Sequence, residues 1–409
     1  MQAQPAASRR RAAIAAAVSF FLVVIPIMVV AFMNAPIALG PAISRSLANY
    51  VAETRKTGLP FLGAVGGLSI AIGVAAARMV WRAWPHARRR GTLVAGYTFL
   101  APYLLVTLTF TVGVVLFAFY ISFNQYNIFT APVWNGIQNY VRAFKQQIFL
   151  QSLYNVFWYA LIVTTVQTAV AVALAVFLNA PMRFQQFFRT VFYAPSVTSS
   201  VVITLIFIWM YLKTGYINFA FTKVLGVVGI HWKSIDWLND PTGLFEIFVN
   251  AVGGKIPYTR WYLKGPSIAW MALMLQNIFT TVPTFMIMFL AGLQNINPTM
   301  YEAAEIDGAN GWQMFWRITL PLLRPIMVLV LVLSTIGTLQ IFDQVYLATA
   351  GGPLNTTQVP VYLIYTKAVG TTGPIEMGYA SSLAFILAVI IFFFTFAQRR
   401  LIERGSEQY

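Results

Sequence analysis

The feature that most restricts this chain is a series of apolar stretches, each long enough to cross a bilayer. A hydrocarbon core about 30 Å thick takes about 20 apolar residues as a helix. Eight stretches reach that length, at roughly 12–33, 59–80, 94–121, 152–178, 191–212, 267–292, 323–346 and 379–397. Only 9% of the 409 residues are charged and 59% are apolar, against about 25% charged in a soluble globule. Too few polar groups remain to cover a water-facing surface. The expected fold is therefore an all-α polytopic membrane protein with eight transmembrane helices.

The basic excess, 27 Lys and Arg against 11 Asp and Glu, does not gather on one polar face as a nucleic-acid binder requires. It falls between the apolar runs and so reads as topology. With the N-terminus inside, 15 of the 27 basic residues lie in cytoplasmic segments, Arg88, Arg89 and Arg90 being the firmest anchor. The other 12 lie in outside segments that together are nearly twice as long. This density places both termini in the cytoplasm. Arg9, Arg10 and Arg11 precede the first span much as in a signal peptide, but its length of about 20 residues favours a retained span. Trp81, Trp84, Trp209 and Trp261 suit interfacial aromatic belts, and Arg399 with Arg400 a cytoplasmic stop.

Several chemistries are excluded. The chain has no cysteine, and its two histidines, His86 and His231, are too few for a His-rich metal site. No metal ligands and no catalytic residues are expected. No G-x-x-x-x-G-K-[ST] occurs, so the chain does not itself cradle ATP. Ion-coupled carriers keep a charged coupling residue within the membrane, and here only Asp343 comes near, at the outer end of the seventh span.

The cytoplasmic loop between spans six and seven, residues 293–322, differs from its surroundings. Glu302, Glu305 and Asp307 place three of the 11 acids within six positions. Pro298 stops the incoming helix, and Thr299 with Glu302 has the spacing of a capping box. A short helix is expected from about 300 to 306, ending at Gly308, with Asn310 and Gln313 capping a second. On that second helix Trp312, Phe315 and Trp316 share one face. Such a loop is either an interfacial helix or a knob that docks into a soluble partner. The acids suit an anionic membrane surface poorly, which favours the knob.

Within this loop Glu302-Ala303-Ala304, Gly308, Ile318 and Leu320-Pro321 fill every position of the pattern EAA-x3-G-x9-I-x-L-P. The segment resembles the EAA signature of binding-protein-dependent ABC importer permeases. The resemblance implies a type I importer core of six spans over residues 94–404, preceded by residues 1–93 with two extra spans and followed by a tail, 405–409. It also implies that the loop is a coupling helix seated in an ATPase subunit, through Glu302, Ala303, Ala304, Asp307, Gly308 and Trp312. The partners implied are a second permease, two ATPase subunits that bind ATP and Mg, an extracytoplasmic solute-binding protein and membrane lipid. The location implied is the bacterial inner membrane. No cofactor is implied for the chain itself, and it is expected to be a transporter subunit rather than an enzyme.

Farther on, Phe342, Asp343, Val345, Tyr346, Thr349, Gly351, Gly352 and Pro353 resemble the F-D-x-[IV]-Y-x-x-[TS]-x-G-G-P stretch of carbohydrate importer permeases, of the maltose type with eight spans. The expected substrate is a sugar, a neutral oligosaccharide or glycoside; glycerol phosphate or a polyol derivative is the alternative, and an ion-coupled solute carrier or a non-transport scaffold are rivals outside the class. Sugar hydroxyls need amide and carboxylate partners, and Gln276, Asn277, Gln340, Asp343 and Tyr346 supply them in or near spans six and seven. Gln340, Asp343 and Tyr346 follow helical spacing, so one face of span seven is expected to line a cavity. The same side chains also suit bonds between helices, and Asp343 a helix-end contact. Gln167 and Asn155 in span four fit interhelical bonds better. The outside loop 213–266 is expected to form a small external cap.

Overall fold

The computed structural model describes residues 100, 103–104, 106–371 and 373–403. The first two expected spans, residues 94–99, 101–102 and 105 of the third and the tail lie outside the described residues, as do Trp81 and Trp84. The chain divides into two compact units, Met1–Ile121 with Tyr126–Trp134, and Ser122–Gln125 with Asn135–Tyr409. In the first, a π-helical turn, Thr107–Val112, leads into helix α1 (Gly113–Ser122), and Phe117 meets Tyr126 edge to face at 6.3 Å.

The second unit is helical. It contains α2 (Gln138–Lys145), α3 (Gln147–Asn179), α4 (Gln185–Val197), α5 (Ser200–Tyr211), α6 (Tyr216–Val227), α7 (Leu244–Ala251), α8 (Ile268–Gln294), α9 (Thr299–Ile306), α10 (Gly311–Met314), α11 (Arg324–Leu339), α12 (Asp343–Ala348), α13 (Pro360–Val369) and α14 (Met377–Glu403). Among the described residues, four helical stretches are long and apolar enough to cross a membrane: Gln147–Asn179, Ile268–Gln294, Arg324–Ala348 and Met377–Arg400. The bent pair α4 and α5 makes a fifth when counted as one span.

Two expected spans are broken. The stretch 191–212, expected as one helix, is two helices bent by 94°. Pro195 removes a backbone donor within α4, and Thr198 and Ser199 turn extended (ψ 142° and 133°). The seventh span is interrupted between Leu339 and Asp343, where Phe342 takes φ −141°. Gln340, Asp343 and Tyr346 therefore do not share one continuous helical face, which corrects the expectation from spacing.

Helix α3 is the central post. Its buried stripe, Asn155, Tyr159, Val163, Gln167, Ala171, Ala175 and Leu178, follows the helical period and packs against α8. Toward one end Tyr159 lies against Trp270 (4.6 Å) with Leu273, Val345 and Tyr362. Toward the other, Ala171 and Ala175 admit Met286, Phe289 and Leu323. Asn155 bonds loop carbonyls rather than a neighbouring helix: its amide donates to Asn355 O (3.0 Å) and Gln358 O (2.9 Å). Where α8 and α11 converge, Gly292 permits the contact; a Cβ there would lie 2.0 Å from Ile326 Cδ1 and 3.0 Å from Leu323 Cδ2. Gly292→Val should destabilise by about 1–3 kcal/mol through overpacking, read as a lower thermal midpoint in detergent; an unchanged midpoint would contradict this packing.

Loop 213–266 is folded. Phe221, Trp232 and Trp237 stack in series, and buried Asn218 ties them down. Its amide donates to Leu212 O, Lys213 O and Ile235 O, while Oδ1 accepts from Trp232 Nε1 and the Ile235 N–H. Nearby Trp261 meets Tyr154 edge to face (5.3 Å), whereas Trp209 is exposed.

A second polar fastening joins α2 to the start of α14. Arg142 pairs with Glu376 through two nitrogens (2.5 and 3.1 Å), Lys367 adds a third contact (3.3 Å), and the guanidinium lies 4.3 Å from the Tyr379 ring centroid. Burial pushes the Glu376 carboxyl up, but the Arg142 hydrogen bond and charge, helped by Lys367, outweigh it and hold the group below the usual carboxylate range. A depressed carboxyl adds stability above its unfolded pKa, about 4.3, that is lost as pH falls through the folded value. Glu376→Gln should therefore lower the thermal midpoint at pH 7, and the gap to wild type should close below about pH 4. A gap that does not change with pH would contradict the ionic origin.

Candidate functional site: a polar cavity and an exposed loop

The two helix breaks meet. Together with α8 they line an open cavity of about 480 Å³. Non-helical backbone at membrane depth is tolerated where it lines a cavity or is buried in protein, so this placement is what both breaks require. From the first break come Pro195, Ser196, Thr198 and Ser200; from α8, Asn277, Thr280, Thr281, Thr284 and Phe285. The second break and its flanks give Gly337, Gln340, Ile341, Phe342, Asp343 and Gln344. The wall thus carries six hydroxyls, three amides, one carboxylate and two phenyl rings, and no Lys or Arg. That inventory suits a neutral polyhydroxylated solute: hydroxyls and amides both give and take hydrogen bonds, and rings pack on apolar sugar faces.

Of the five residues expected to touch substrate, three line this cavity. Asn277 is half-buried and its amide reaches Gln344 Oε1 (3.4 Å), while Gln340 and Asp343 are exposed there. Gln276, next to Asn277 on α8, points elsewhere: it is buried and donates to Thr204 Oγ1 of α5 (2.7 Å). Tyr346 is also outside the lining, stacked on Phe342 (5.4 Å) and edge-on to Tyr365 (5.4 Å).

Sequence reasoning missed Gln344, the hydroxyls around the first break and the three threonines of α8. Gln344 is buried, and its Oε1 also accepts from Tyr159 O–H (3.1 Å). The available signals were the run Pro195-Ser-Val-Thr-Ser-Ser200 and Thr280, Thr281 and Thr284 inside an apolar span. Gln167 does make the interhelical bonds expected of it, to Ser334 of α11 and Thr281 of α8.

The loop after α8 holds two short helices. Asn297 Oδ1 accepts from the Thr299 N–H (3.1 Å), so Asn297 takes the capping place expected of Thr299. The reason is that Pro298 is already in the helical region (φ −57°, ψ −28°), which draws Thr299 into the first turn. Helix α9 ends at Gly308 as expected. Gly308 has φ +79°, its N–H donates to Glu305 O (3.0 Å), and the Ala309 N–H donates to Ala304 O (2.9 Å). This is the two-bond glycine cap of a helix C-terminus. Asn310 and Gln313 form the expected reciprocal cap, each bond 2.9 Å. The Tyr301 and Thr319 hydroxyls, 2.9 Å apart, tie α9 to the following segment.

The loop is rigid on one side and bare on the other. Trp312, Phe315 and Trp316 contact one another with centroids 5.3–6.2 Å apart. Trp312 is 70% exposed, Ile306 87% and Trp316 51%. Glu302, Ala303, Asp307 and Gly308 are exposed as well, and Ala304 is half-buried. Exposed aromatics beside acids on a capped scaffold have the make-up of a docking surface.

Residues 167–406 match the family model described as "Binding-protein-dependent transport system inner membrane component". The probable ABC transporter permease protein YesP of Bacillus subtilis is 32% identical over 301 residues, 73% of this chain and 87% of that protein. The lactose transport system permease protein LacF of Rhizobium radiobacter is 29% identical over 312 residues, 75% and 93% of the two chains. A crystal structure of a bacterial alginate ABC transporter in complex with an alginate pentasaccharide-bound periplasmic protein shares the fold. Its TM-score is 0.62 at 21% identity, covering 80% of this chain and 99% of that one.

Proposed function

The chain belongs to the family of binding-protein-dependent transport system inner membrane components, and from that premise we propose that it is the sugar-translocating permease subunit of an ATP-driven importer. One observation carries the reading: the exposed EAA loop lies between α8 and α11, and α8 and the break that follows α11 wall the polar cavity. A partner that moves the loop moves the cavity wall. The chain supplies the pathway and the lever, and the partner ATPases supply the energy.

Asn277, Gln340 and Asp343 are the proposed sugar contacts, with Tyr346 just beyond them in the aromatic cluster and Gln276 holding α8 against α5. Glu302, Ala303, Ala304, Asp307, Gly308 and Trp312 are the proposed ATPase contacts. The hydroxyl-rich lining without cations favours a neutral oligosaccharide or glycoside, in keeping with the lactose permease among the relatives. The working complex is proposed as this chain, a second permease, two ATPase subunits and an extracytoplasmic binding protein.

Eight spans in the bacterial inner membrane are proposed, six in the core from 94 to 404 and two within 1–93, with both termini cytoplasmic. The Lys and Arg density supports the orientation. The meeting of Arg142 with Glu376 fits a topology that puts their two segments on one side of the membrane. Driven by ATP, the pore alternates between inward- and outward-facing states, the loop carrying the motion of the ATPases to the spans.

The test is a mild-detergent pull-down of the tagged chain from its host, with mass spectrometry of what accompanies it. Recovery of a second EAA-bearing permease and an ATPase is expected. A chain recovered alone that transports without ATP would overturn the reading.

A further inference from the structure

One side chain joins three of the spans. Gln167, on α3, is 1% exposed. Its Nε2 donates to Ser334 Oγ on α11, and its Oε1 accepts from Thr281 Oγ1 on α8 (2.5 Å). Ser334 Oγ passes the chain back to α3 by donating to Thr164 Oγ1 (3.0 Å). The two spans fastened in this way are the two that bracket the exposed loop: α8 runs into it and α11 runs out of it.

Thr281 has a second role. It lines the cavity, and its single hydroxyl proton has two acceptors in reach, Gln167 Oε1 across the helices and Asn277 O on its own helix (2.8 Å). One proton serves one acceptor well at a time. A solute hydroxyl in the cavity that engages Thr281 therefore competes with Gln167 for it. Gln167 is itself buried away from the cavity, so a bond it loses leaves a buried amide oxygen short of a partner, and that cost is felt by the helices.

We propose that Gln167 is a positioning residue that transmits cavity occupancy to the loop. With Thr281 donating to Gln167, α3, α8 and α11 are clasped. When Thr281 turns to Asn277 O or to solute, this bond between α8 and α3 is lost while α11 stays held through Ser334; the packing of α3 on α8 and the Trp270–Asn155 bond remain, so the change is local to the Thr281 level. At that level the two arms leading to the loop then move relative to one another. The inference rests on the importer reading above and adds the residue through which that importer senses its cargo. A merely structural Gln167 would hold the spans together and affect only assembly and stability.

The test uses the complete complex, with partner permease, ATPases and binding protein, in proteoliposomes. ATP hydrolysis is measured with and without sugar-loaded binding protein, for wild type, Gln167→Leu, Thr281→Val and Thr281→Ser. Both Gln167→Leu and the near-isosteric Thr281→Val should raise unstimulated hydrolysis and cut the stimulation ratio at least about fivefold, the lower end of allosteric coupling. Thr281→Ser, which keeps the hydroxyl, should restore most of the ratio. Wild-type stimulation in an assembled Thr281→Val complex overturns the clasp whatever Gln167→Leu does. A wild-type complex with no stimulation overturns the importer reading and the clasp with it.

Discussion

Glu302→Lys should abolish uptake while the protein still folds. Glu302 is exposed in the first turn of α9, a helix whose ends are set by other residues: Asn297 at the start, Gly308 at the finish and the Tyr301–Thr319 contact at its side. Within the chain the reversal costs about 0.6–2 kcal/mol, the loss of an acid at a helix N-terminus plus its replacement by a cation. In a docked interface it sets like charge against whatever cation pairs with Glu302. Truncating a buried, hydrogen-bonded charge partner costs about 2–5 kcal/mol, and reversal does at least as much. The interface term wins, so uptake should fall by about two orders of magnitude or more. The purified subunit should keep a thermal midpoint close to wild type. Retained uptake, or a midpoint that collapses, would contradict a coupling role.

The second large effect is expected in the cavity. Asp343 lies in the first turn of α12, exposed to the open cavity that the two breaks line. As the sole carboxylate of that lining it offers a sugar hydroxyl a charge-assisted bond, worth about 1.5–3 kcal/mol against about 1 kcal/mol for a neutral one. Asp343→Ala should therefore lower uptake at limiting substrate by about 10- to 100-fold. Recovery of the ATPase with the tagged chain should not change, because the coupling loop is untouched. Loss of assembly together with uptake would instead make Asp343 a helix-end residue and nothing more. Asn277→Ala, a neutral contact, should show a smaller loss of the same kind.

What the sequence made legible follows from which signals are local. The coupling loop was legible because capping residues, prolines and glycines act within a few positions, and its helix ends and its aromatic face came out as expected. Even there, Thr299 lost its capping place to Asn297, a choice made by the backbone of Pro298. The spans from 267 to 292 and 379 to 397 were legible because hydropathy integrates over about 20 residues. That same averaging hid the 94° bend between α4 and α5, which leaves the mean unchanged.

The break after Leu339 had still less signal, since no glycine or proline lies between Thr338 and Tyr346. Tertiary packing decides it: Leu339, Ile341 and Val345 are all buried, a pattern that a straight helix would not present to the same neighbours. Gln276 and Asn277 show the limit most plainly. Adjacent residues on a helix point about 100° apart, so neighbours can face different surroundings, although Thr280 and Thr281 both reach the cavity. Only the position of α5 shows that Gln276 faces away from it.

The most direct measurement is sugar uptake into proteoliposomes holding the whole complex, with sugar-loaded binding protein on one side, ATP on the other and no ion gradient. Accumulation should require ATP and the binding protein, should be unaffected by a protonophore, and should vanish with Glu302→Lys. Uptake that proceeds without ATP, collapses with the protonophore and survives Glu302→Lys would show an ion-coupled carrier instead, with Asp343 as its coupling group.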